Sequence, residues 1–450
     1  MPPNDSSSES APKETVAGPV KPPCDRDDAM QVLRRLRDGG HVAYFAGGCV
    51  RDLLLGLTPK DFDVATDAPP RRVRELFANT QAVGAAFGVI LVRVGRSVVE
   101  VATFRAEGPY LDGRHPSEVR FTTAEEDAGR RDFTINGLFL DPIEDRVIDY
   151  VGGQQDLRAK VIRAIGDPEK RFEEDHLRML RAVRFAARFG FVIESATVAA
   201  IVRHSPQLIR ISPERIADEL RTMLTPTTRS AAYRMLDELK LLPLIFRFYP
   251  PTKLPELGNR KTSVFDTLAP AQSIPLGLAL AAAGLDHQLR HSFAGADVRP
   301  LLERTAAQQL VHALRQSLKI SNEESDQLLG AIEGLAPLLR DRPPRVATLK
   351  RFLARPTAAQ SRQLLDALAQ TVLHPGRPDE LRSQLRELEQ TEFAPPPLLT
   401  GDDLTAAGLS PGPIFKRLLD ETYDAQLENQ ISTREQALEM ALRSAARAAE

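Results

Sequence analysis

The sequence predicts an α+β fold: a head domain with a mixed β-sheet and helices, followed by an all-α neck, body and tail. Between Asp25 and about Ile165, short runs of β-branched and aromatic residues alternate with stretches of helical periodicity. After Pro168 the β-like runs end, and apolar residues recur with the helical period. We therefore expect a disordered tail, a head, a helical neck and a helical body with tail, at residues 1–24, 25–165, 166–245 and 246–450.

Composition and charge exclude several classes of protein. The 450 residues include 59 Lys plus Arg against 61 Asp plus Glu, so any surface for nucleic acid must be local. No run of about 18 apolar residues is present, and the Ser- and Pro-rich N-terminal segment lacks the apolar core of a secretory signal. The two cysteines, Cys24 and Cys49, are too few for a disulfide framework or a zinc site. We expect a cytoplasmic protein with no membrane contact and predict no protein partner.

The elements follow one another in a clear order. The helical stretches AMQVLRRLRDGG and PRRVRELFA alternate in the head with the β-like runs HVAYFAGG, DFDVAT, GVILVRVG, VVEVATF, RVIDYV and KVIRAI. The neck has the helical segments EKRFEEDHLRMLRAVRFAARFGF, SATVAAIVRHS, SPERIADELRTML and SAAYRMLDELKLL. Proline runs at 250–255, 342–345 and 393–397 break the body, because proline removes a hydrogen-bond donor from a helix interior.

A glycine pair ends the first β-like run. Gly47 and Gly48 permit close approach of the backbone to a ligand, and the helix that follows presents free N–H groups at its N-terminus. Arg51 lies in that helix and can add a charge-assisted contact to a polyphosphate. These features predict a phosphate-binding turn.

Three acidic residues predict a metal site. Asp61 and Asp63 lie on a β-like run, where the period of two places both carboxylates on one face. Adjacent carboxylates repel each other unless a cation lies between them, and Mg²⁺ takes oxygen ligands of this kind. Glu100 is the predicted third ligand, because a carboxylate among three valines requires a partner or an ion.

The motif Gly-Gly-x-Val-Arg-Asp at 47–52, followed by Asp-x-Asp, resembles the nucleotidyltransferase superfamily. More narrowly, it is similar to the bacterial class II branch of CCA-adding tRNA nucleotidyltransferases and bacterial poly(A) polymerases. Residues 103–142 resemble the flexible loop of that family and its Arg-Arg-Asp-x-x-x-Asn motif. In the family this motif contacts the ribose and phosphates of the nucleotide, which implies that role here for Arg131, Asp132 and Asn136.

A second family motif lies in the neck. Residues 172–191 resemble its Glu-Asp-x-x-Arg motif, here Glu174, Asp175 and Arg178, extended by Arg181 and Arg184. The resemblance implies that Asp175 and Arg178 select cytosine and then adenine at the base edge, and that the two further arginines help to hold the triphosphate. The i, i+3 spacing would place Asp175 and Arg178 side by side on one helical face.

The neck is also the predicted RNA-binding surface. Residues 158–234 include 15 Lys plus Arg against 9 Asp plus Glu, an excess of 6 positive charges that can neutralise backbone phosphates. The chain has no Trp and six Tyr, which argues against a stacking platform for single strands and favours recognition of a folded RNA by shape. Residues 211–220, with Glu214 and Arg215, resemble the last common motif of the family, which braces the neck.

The residues and the resemblance together predict an enzyme that adds C and A from CTP and ATP to the 3′ end of tRNA and releases pyrophosphate. Mg²⁺ is the predicted cofactor. A poly(A) polymerase of the same family and a CC-adding or A-adding specialist stay open as alternatives. The basic neck and long tail disfavour a small-molecule nucleotidyltransferase, and the presence of all three acids disfavours an RNA-binding protein with a degenerate head.

Overall fold

The chain divides into two compact units, Met1–Glu174 and Asp175–Glu450. The computed structural model describes residues 24–82, 88–108, 118–246, 263–290, 297–340, 342–371, 373 and 377–449. Except for Cys24, the predicted tail lies outside the described residues, as do the proline run at 250–255 and most of the predicted flexible loop. The boundary after Glu174 falls inside the segment predicted as the neck. None of the described helices is long and apolar enough to cross a bilayer.

The first unit is built around a mixed β-sheet. Its described strands are β1 (Ala43–Ala46), β2 (Val64–Thr66), β3 (Thr80–Ala82), β4 (Val89–Val94), β5 (Ser97–Thr103), β6 (Arg105–Glu107), β7 (Val119–Phe121), β8 (Leu138–Asp141), β9 (Arg146–Asp149) and β10 (Val161–Ile162). Within the described residues seven of them form one sheet in the order β3-β4-β5-β2-β1-β8-β9. β2 pairs with β5 in parallel and with β1 in antiparallel orientation, and β6 and β7 form a separate antiparallel pair.

Helices and an aromatic cluster pack against this sheet. The helices are α1 (Arg26–Asp38), α2 (Gly48–Leu54), α3 (Pro70–Leu76), α4 (Ala124–Gly129), α5 (Gly153–Ala159) and α6 (Pro168–Glu174). The apolar face of α1 is fully buried through Val32, Leu33 and Leu36, and this helix contacts β1, β2 and β5. Phe104 and Phe139 meet edge to face at 5.7 Å within a second cluster. This packing fixes the ends of the central strands, where the predicted site residues lie.

The second unit is helical in almost all of its described residues. Its helices are α7 (Arg178–Phe189), α8 (Ser195–His204), α9 (Pro213–Leu224), α10 (Arg229–Glu238), α11 (Leu242–Ile245), α12 (Val264–Thr267), α13 (Leu276–Arg290), α14 (Arg299–Leu302), α15 (Arg304–Leu318), α16 (Asn322–Glu333), α17 (Val346–Leu353), α18 (Ala358–Thr371), α19 (Arg377–Glu389), α20 (Gly401–Ala406), α21 (Pro413–Leu427) and α22 (Arg434–Ala449). α7 packs against α9 and α10, and α21 packs against α22. A mixed sheet followed by a largely helical remainder confirms the predicted fold class.

Candidate active site

The predicted glycine turn connects β1 to α2. Gly47 has φ 69°, a left-handed conformation that favours glycine, and α2 begins at Gly48. A Cβ atom at position 47 would lie 2.7 Å from Nη1 of Arg131. The backbone conformation therefore favours glycine here, and a side chain at this position would also displace the guanidinium of Arg131, which the sequence predicts in the site.

Two of the acidic residues lie just before β2, and the third lies in β5. Asp61 and Asp63 are half-buried in an extended segment directly before β2, and the Phe62 ring between them packs 5.2 Å from Phe45. The Asp63 carbonyl accepts a hydrogen bond from the Ala46 N–H at 3.0 Å, which continues the β1–β2 pairing. The predicted strand is therefore shorter than expected, since β2 begins only at Val64, although burial still alternates across residues 61–63.

Register brings the third acid beside this segment. β2 and β5 are parallel with Val64 opposite Val101, and the same register extended by one residue would put Asp63 opposite Glu100. Residues at paired positions project to the same face of a sheet. The register is therefore compatible with Asp63 and Glu100 on one face, and their shared role stays a prediction.

The three residues have the donor chemistry of a magnesium site, since carboxylate oxygens are the ligands that this ion prefers. Across the described parts of the chain, no group of three His, Cys, Asp or Glu side chains is arranged to hold a metal ion. The metal assignment therefore stays a prediction, supported by residue type and by strand register.

Cys49 lies next to this acidic segment but is not activated as a nucleophile. It is 3% exposed, and burial together with the negative charge of Asp63 raises the pKa of its thiol to about 12. The thiol is neutral at physiological pH and donates to the Ala46 carbonyl at 3.3 Å. A buried, neutral thiol is a poor nucleophile.

Arg51 is buried inside the first unit and is held by two residues. Its Nε and Nη2 donate to Asp52 at 2.8 and 2.7 Å, and its Nη1 donates to Oδ1 of Asn136 at 2.6 Å. The Asn136 amide in turn donates to Asp132 at 2.9 Å. The structure thus links Arg51, Asn136 and Asp132, which the sequence assigns separately to the nucleotide site. Asp52 belongs to the glycine motif but was given no role from the sequence, and it fixes the Arg51 guanidinium.

Asp127 was also missed and holds the arginines of the Arg-Arg-Asp motif. Its carboxylate accepts from Arg130 at 2.9 Å, from Arg131 at 3.0 Å and from the Arg105 N–H at 3.2 Å. Burial by itself would raise the pKa of Asp127, but the charges of Arg131 and Arg130 outweigh it and the pKa lies below its usual value. Arg130 and Arg131 follow Asp127 by three and four residues, a spacing at the end of α4 that could have identified Asp127 from the sequence.

The predicted helix across Glu174 and Asp175 is wrong in one respect. The helix stops at Glu174 and resumes at Arg178, and the Asp175 carboxylate accepts from the Leu177 N–H at 3.0 Å between the two. Asp175 and Arg178 therefore do not share one helical face. A short polar side chain that bonds a backbone N–H two residues later competes with the helix, which explains the break.

In the second unit, the motif residues are held by partners on α9. The Asp175 carboxylate accepts from Arg215 at 2.7 Å. Glu219 accepts from Arg184 at 2.6 Å and lies 3.7 Å from Arg181. The Arg184 guanidinium also lies 4.2 Å from the centre of the Phe185 ring. These contacts orient the two arginines that the sequence assigns to the triphosphate.

Comparison with known protein families supports this assignment. Residues 43–163 match the family model for the poly A polymerase head domain. Residues 190–251 match the family model described as a probable RNA and SrmB-binding site of polymerase A.

A relative of known class matches nearly the whole chain. The CCA-adding enzyme of Leuconostoc mesenteroides is 32% identical over 413 residues, which cover 92% of this chain and 94% of the relative. The chain belongs to the class II family of CCA-adding enzymes and poly(A) polymerases. It is an RNA nucleotidyltransferase, which confirms the predicted class of enzyme.

Other relatives match about half of the chain at higher identity. The CCA-adding enzyme of Bacillus subtilis is 44% identical over 222 residues, which cover 49% of this chain and 56% of that enzyme. The poly(A) polymerase I of Salmonella typhi is 45% identical over 231 residues, which cover 49% of this chain and 50% of that enzyme. A CCA-adding enzyme and a poly(A) polymerase thus match this chain at similar sequence identity.

The fold is also that of a solved enzyme of this family. The crystal structure of the Bacillus stearothermophilus CCA-adding enzyme in complex with CTP has a TM-score of 0.69 at 27% identity, covering 94% of this chain and 98% of that chain. The Thermotoga maritima CCA-adding enzyme complexed with tRNA has the same fold, with a TM-score of 0.61 over 92% of this chain and 94% of that chain at 21% identity.

Proposed function

We propose that this nucleotidyltransferase completes the 3′ end of tRNA by adding C and A from CTP and ATP. The observation that carries this proposal is the length of the match to the Leuconostoc mesenteroides CCA-adding enzyme, which covers 94% of that enzyme. The match to poly(A) polymerase I covers only 50% of that enzyme. The match over 92% of this chain includes most of its helical second half, where RNA would be recognised, and this supports the CCA-adding activity.

The reaction forms a bond between the RNA 3′-oxygen and the α-phosphorus of the nucleotide, and breaks the bond from that phosphorus to the bridging oxygen of the β-phosphate. Pyrophosphate leaves, and the proton of the 3′-hydroxyl is lost to solvent. Asp61, Asp63 and Glu100 are the residues that would hold Mg²⁺ in this reaction. When bound, Mg²⁺ supplies positive charge that lowers the pKa of the hydroxyl and neutralises the pyrophosphate.

The other residues of the first unit bind and orient the nucleotide in this proposal. Gly47 and Gly48 let the triphosphate approach the backbone. Arg131 supplies charge at a position set by Asp127 and by its own bond to the Asn136 carbonyl at 3.2 Å. The buried Arg51 guanidinium donates a hydrogen bond to Asn136 and fixes its side chain. We therefore propose that Arg51 orients Asn136 in addition to attracting the phosphates.

Base selection is proposed for Asp175 and Arg178, as the resemblance implies. Both carboxylate oxygens of Asp175 already accept one hydrogen bond each, from the Leu177 N–H and from Arg215. Each carboxylate oxygen can accept a second bond, so a base amino group can still donate to a carboxylate whose orientation is fixed. Arg181 and Arg184, oriented by Glu219, would contribute charge toward the triphosphate.

The test is nucleotide addition to a purified tRNA that lacks its terminal CCA, with CTP, ATP and Mg²⁺. We expect three nucleotides to be added. Asp63→Asn should reduce the rate at least about a hundredfold, because a metal ligand contributes several kcal/mol to the transition state. The matched control is Asp67→Asn. The Asp67 carboxylate accepts a hydrogen bond from the Val42 N–H outside the site, so this variant should retain the rate. Equal rates for both variants would contradict the metal assignment.

A poly(A) polymerase is the second candidate, favoured by the 45% identity to the Salmonella typhi enzyme over 231 residues. A CC-adding or A-adding specialist is a third. Omitting one nucleotide at a time separates them. A CC-adding enzyme stops after two nucleotides with both substrates present, whereas an A-adding enzyme extends only tRNA that already ends in CC.

A further inference from the structure

Glu107, the last residue of β6, is a buried acid beside the arginines of the Arg-Arg-Asp motif. Its side chain is 7% exposed, and its Oε1 accepts from Nε and Nη2 of Arg105 at 3.0 and 2.8 Å and from Nη1 of Arg130 at 2.9 Å. A buried carboxylate is unfavourable unless cations stabilise it, and these guanidinium groups do so. Arg105 lies on the same strand, whereas Arg130 begins the motif, so the second contact connects β6 to the predicted nucleotide site.

Arg130 bridges two carboxylates from different parts of the first unit. Its Nη1 donates to Glu107, and its Nε donates to Oδ1 of Asp127 at 2.9 Å. The Asp127 side chain is only 2% exposed, and that of Arg130 is 20% exposed. Ion pairs at this depth are weakly screened by solvent, so the two acids together determine where the Arg130 guanidinium lies.

The Asp127 carboxylate is divided between the two arginines of the motif. Oδ1 accepts from Arg130, whereas Oδ2 accepts from Nε and Nη2 of Arg131 at 3.2 and 3.0 Å. The remaining Nη1 of Arg131 donates to the Asn136 carbonyl at 3.2 Å, on the side that faces the Gly47 turn. One oxygen for each arginine therefore fixes the orientation of Arg131.

This division depends on the second carboxylate. Glu107 attracts the Nη1 end of the Arg130 guanidinium and keeps that end away from Oδ2 of Asp127. Without this charge, Arg130 can turn and bind both oxygens of Asp127, since a two-oxygen pair is the geometry that arginine and carboxylate favour. Arg131 would then lose sole use of Oδ2, and its guanidinium would be less well fixed beside the glycine turn.

We propose that Glu107 is a positioning residue for nucleotidyl transfer: it holds Arg130 on one oxygen of Asp127 and thereby reserves the other oxygen for Arg131. This inference rests on the proposed role of Arg131 at the triphosphate, and it gives Glu107 no contact with the nucleotide. Because CTP and ATP carry the same triphosphate, loss of Glu107 affects transfer from both nucleotides equally.

The test is a single-turnover measurement with the full chain in excess over RNA and with Mg²⁺. CTP is added to tRNA that lacks its CCA end, and ATP is added to tRNA that ends in CC. Glu107→Gln should lower the rate constant at saturation about tenfold with either nucleotide, because a displaced guanidinium stabilises the transition state less well. The half-saturating nucleotide concentration should change by no more than about twofold, because removing a negative charge does not weaken attraction for a triphosphate.

This readout separates positioning from stability. An unfolded fraction of the enzyme changes how much protein saturates the RNA, but not the rate constant at saturation. A merely structural role for Glu107 therefore leaves that rate constant at the wild-type value, which would overturn the proposal. The matched control is Glu144→Gln, at an exposed acid of the same unit that pairs with Arg146 at 3.0 Å, and it should retain the rate constant.

Two further variants show whether Glu107 acts through Arg130. Arg130→Met should also lower the rate constant, and adding Glu107→Gln to it should cause no further loss; a further tenfold loss, on the order of that in the single variant, would overturn the proposal. If Glu107→Gln fails to fold, Glu107→Asp keeps the charge on a shorter side chain and should lower the rate constant about threefold. An unchanged rate constant in Glu107→Asp would then overturn the proposal.

Arg131→Met distinguishes failure of this inference from failure of the proposed function. A slow Arg131→Met with a wild-type rate constant in Glu107→Gln overturns the inference and leaves the role of Arg131 intact. A wild-type rate constant in Arg131→Met contradicts the proposed role of Arg131 itself. If the wild type adds only A, the activity proposed above fails, and the ATP reaction still tests Glu107. Unequal losses with CTP and ATP in an enzyme that uses both would place Glu107 in base selection and overturn the inference.

Discussion

Replacing Asp127 by Asn removes the negative charge that holds both arginines of the Arg-Arg-Asp motif. Asp127 is 1% exposed and forms ion pairs of 2.8 Å with Arg130 and 3.0 Å with Arg131. Breaking a buried ion pair from one side costs about 3–5 kcal/mol, because the remaining charge loses its partner. Asn keeps one acceptor oxygen, so we expect a loss of about 3 kcal/mol in the first unit.

The loss is measured by hydrogen exchange of amides in α4 and β8 within the full chain. A local measurement is required because two units need not unfold in a single transition. A loss of about 3 kcal/mol speeds exchange roughly 150-fold where the whole unit must open. The matched control is Glu125→Gln on the same helix, whose exposed side chain should change exchange by no more than about twofold. Exchange in Asp127→Asn as slow as in this control would show that the Asp127 charge does not stabilise the first unit.

The same variant predicts a pH dependence. The pKa of Asp127 is lower in the folded than in the unfolded protein, so the folded state is stabilised above the unfolded value of about 3.9. This stabilisation is lost as the pH falls through the lowered native pKa. The difference in stability between the wild type and Asp127→Asn should therefore be constant near neutral pH and shrink below about pH 4.

Three further results are expected. Arg229→Met should destabilise the second unit by about 3 kcal/mol, because this buried guanidinium donates to four backbone carbonyl groups. The free energy of unfolding is measured in urea by circular dichroism. The control Arg234→Met, at a more exposed arginine, should cost less than about 1 kcal/mol. Cys49, with its pKa of about 12, should resist iodoacetamide at pH 8 in the folded protein, and rapid labelling of its peptide would contradict the burial. Gly47→Ala should lower transfer at least tenfold and more than Gly48→Ala, because only position 47 has positive φ and a Cβ clash; equal losses would contradict this.

Local patterns in the sequence predict much of the fold. The alternating residues of VVEVATF form β5, and the glycine pair ends β1 and begins α2 as expected. Helical periodicity identifies α8, α9 and α10, and the proline runs at 342–345 and 393–397 lie between helices. These features depend on neighbours in sequence, which is why period and turn chemistry are sufficient to predict them.

Long-range pairing could not be predicted. The position of β2 between β1 and β5, which pairs Val64 with Val101, depends on strand register rather than on composition. The helix break at Asp175 depends on one side chain bonding the backbone, a competition that periodicity does not reveal.

The positive charge of the neck was predicted as one RNA-binding surface, and the structure divides it. Arg229 is buried, Arg184 pairs with Glu219, and Arg221 pairs with Glu324 at 2.6 Å from a distant part of the chain. A count of charges cannot distinguish arginines that stabilise the unit from those that meet solvent. The surface available for phosphates is therefore smaller than the excess of 6 charges implies.

We propose that this enzyme completes a CCA end and then stops. The decisive measurement uses tRNA ending in CC, supplied with Mg²⁺ and ATP alone, with the product lengths resolved by electrophoresis. We expect addition of a single A, with no further extension at long times or high enzyme concentration. A ladder of many A residues, formed equally on unrelated RNA 3′ ends, would contradict it and establish a poly(A) polymerase.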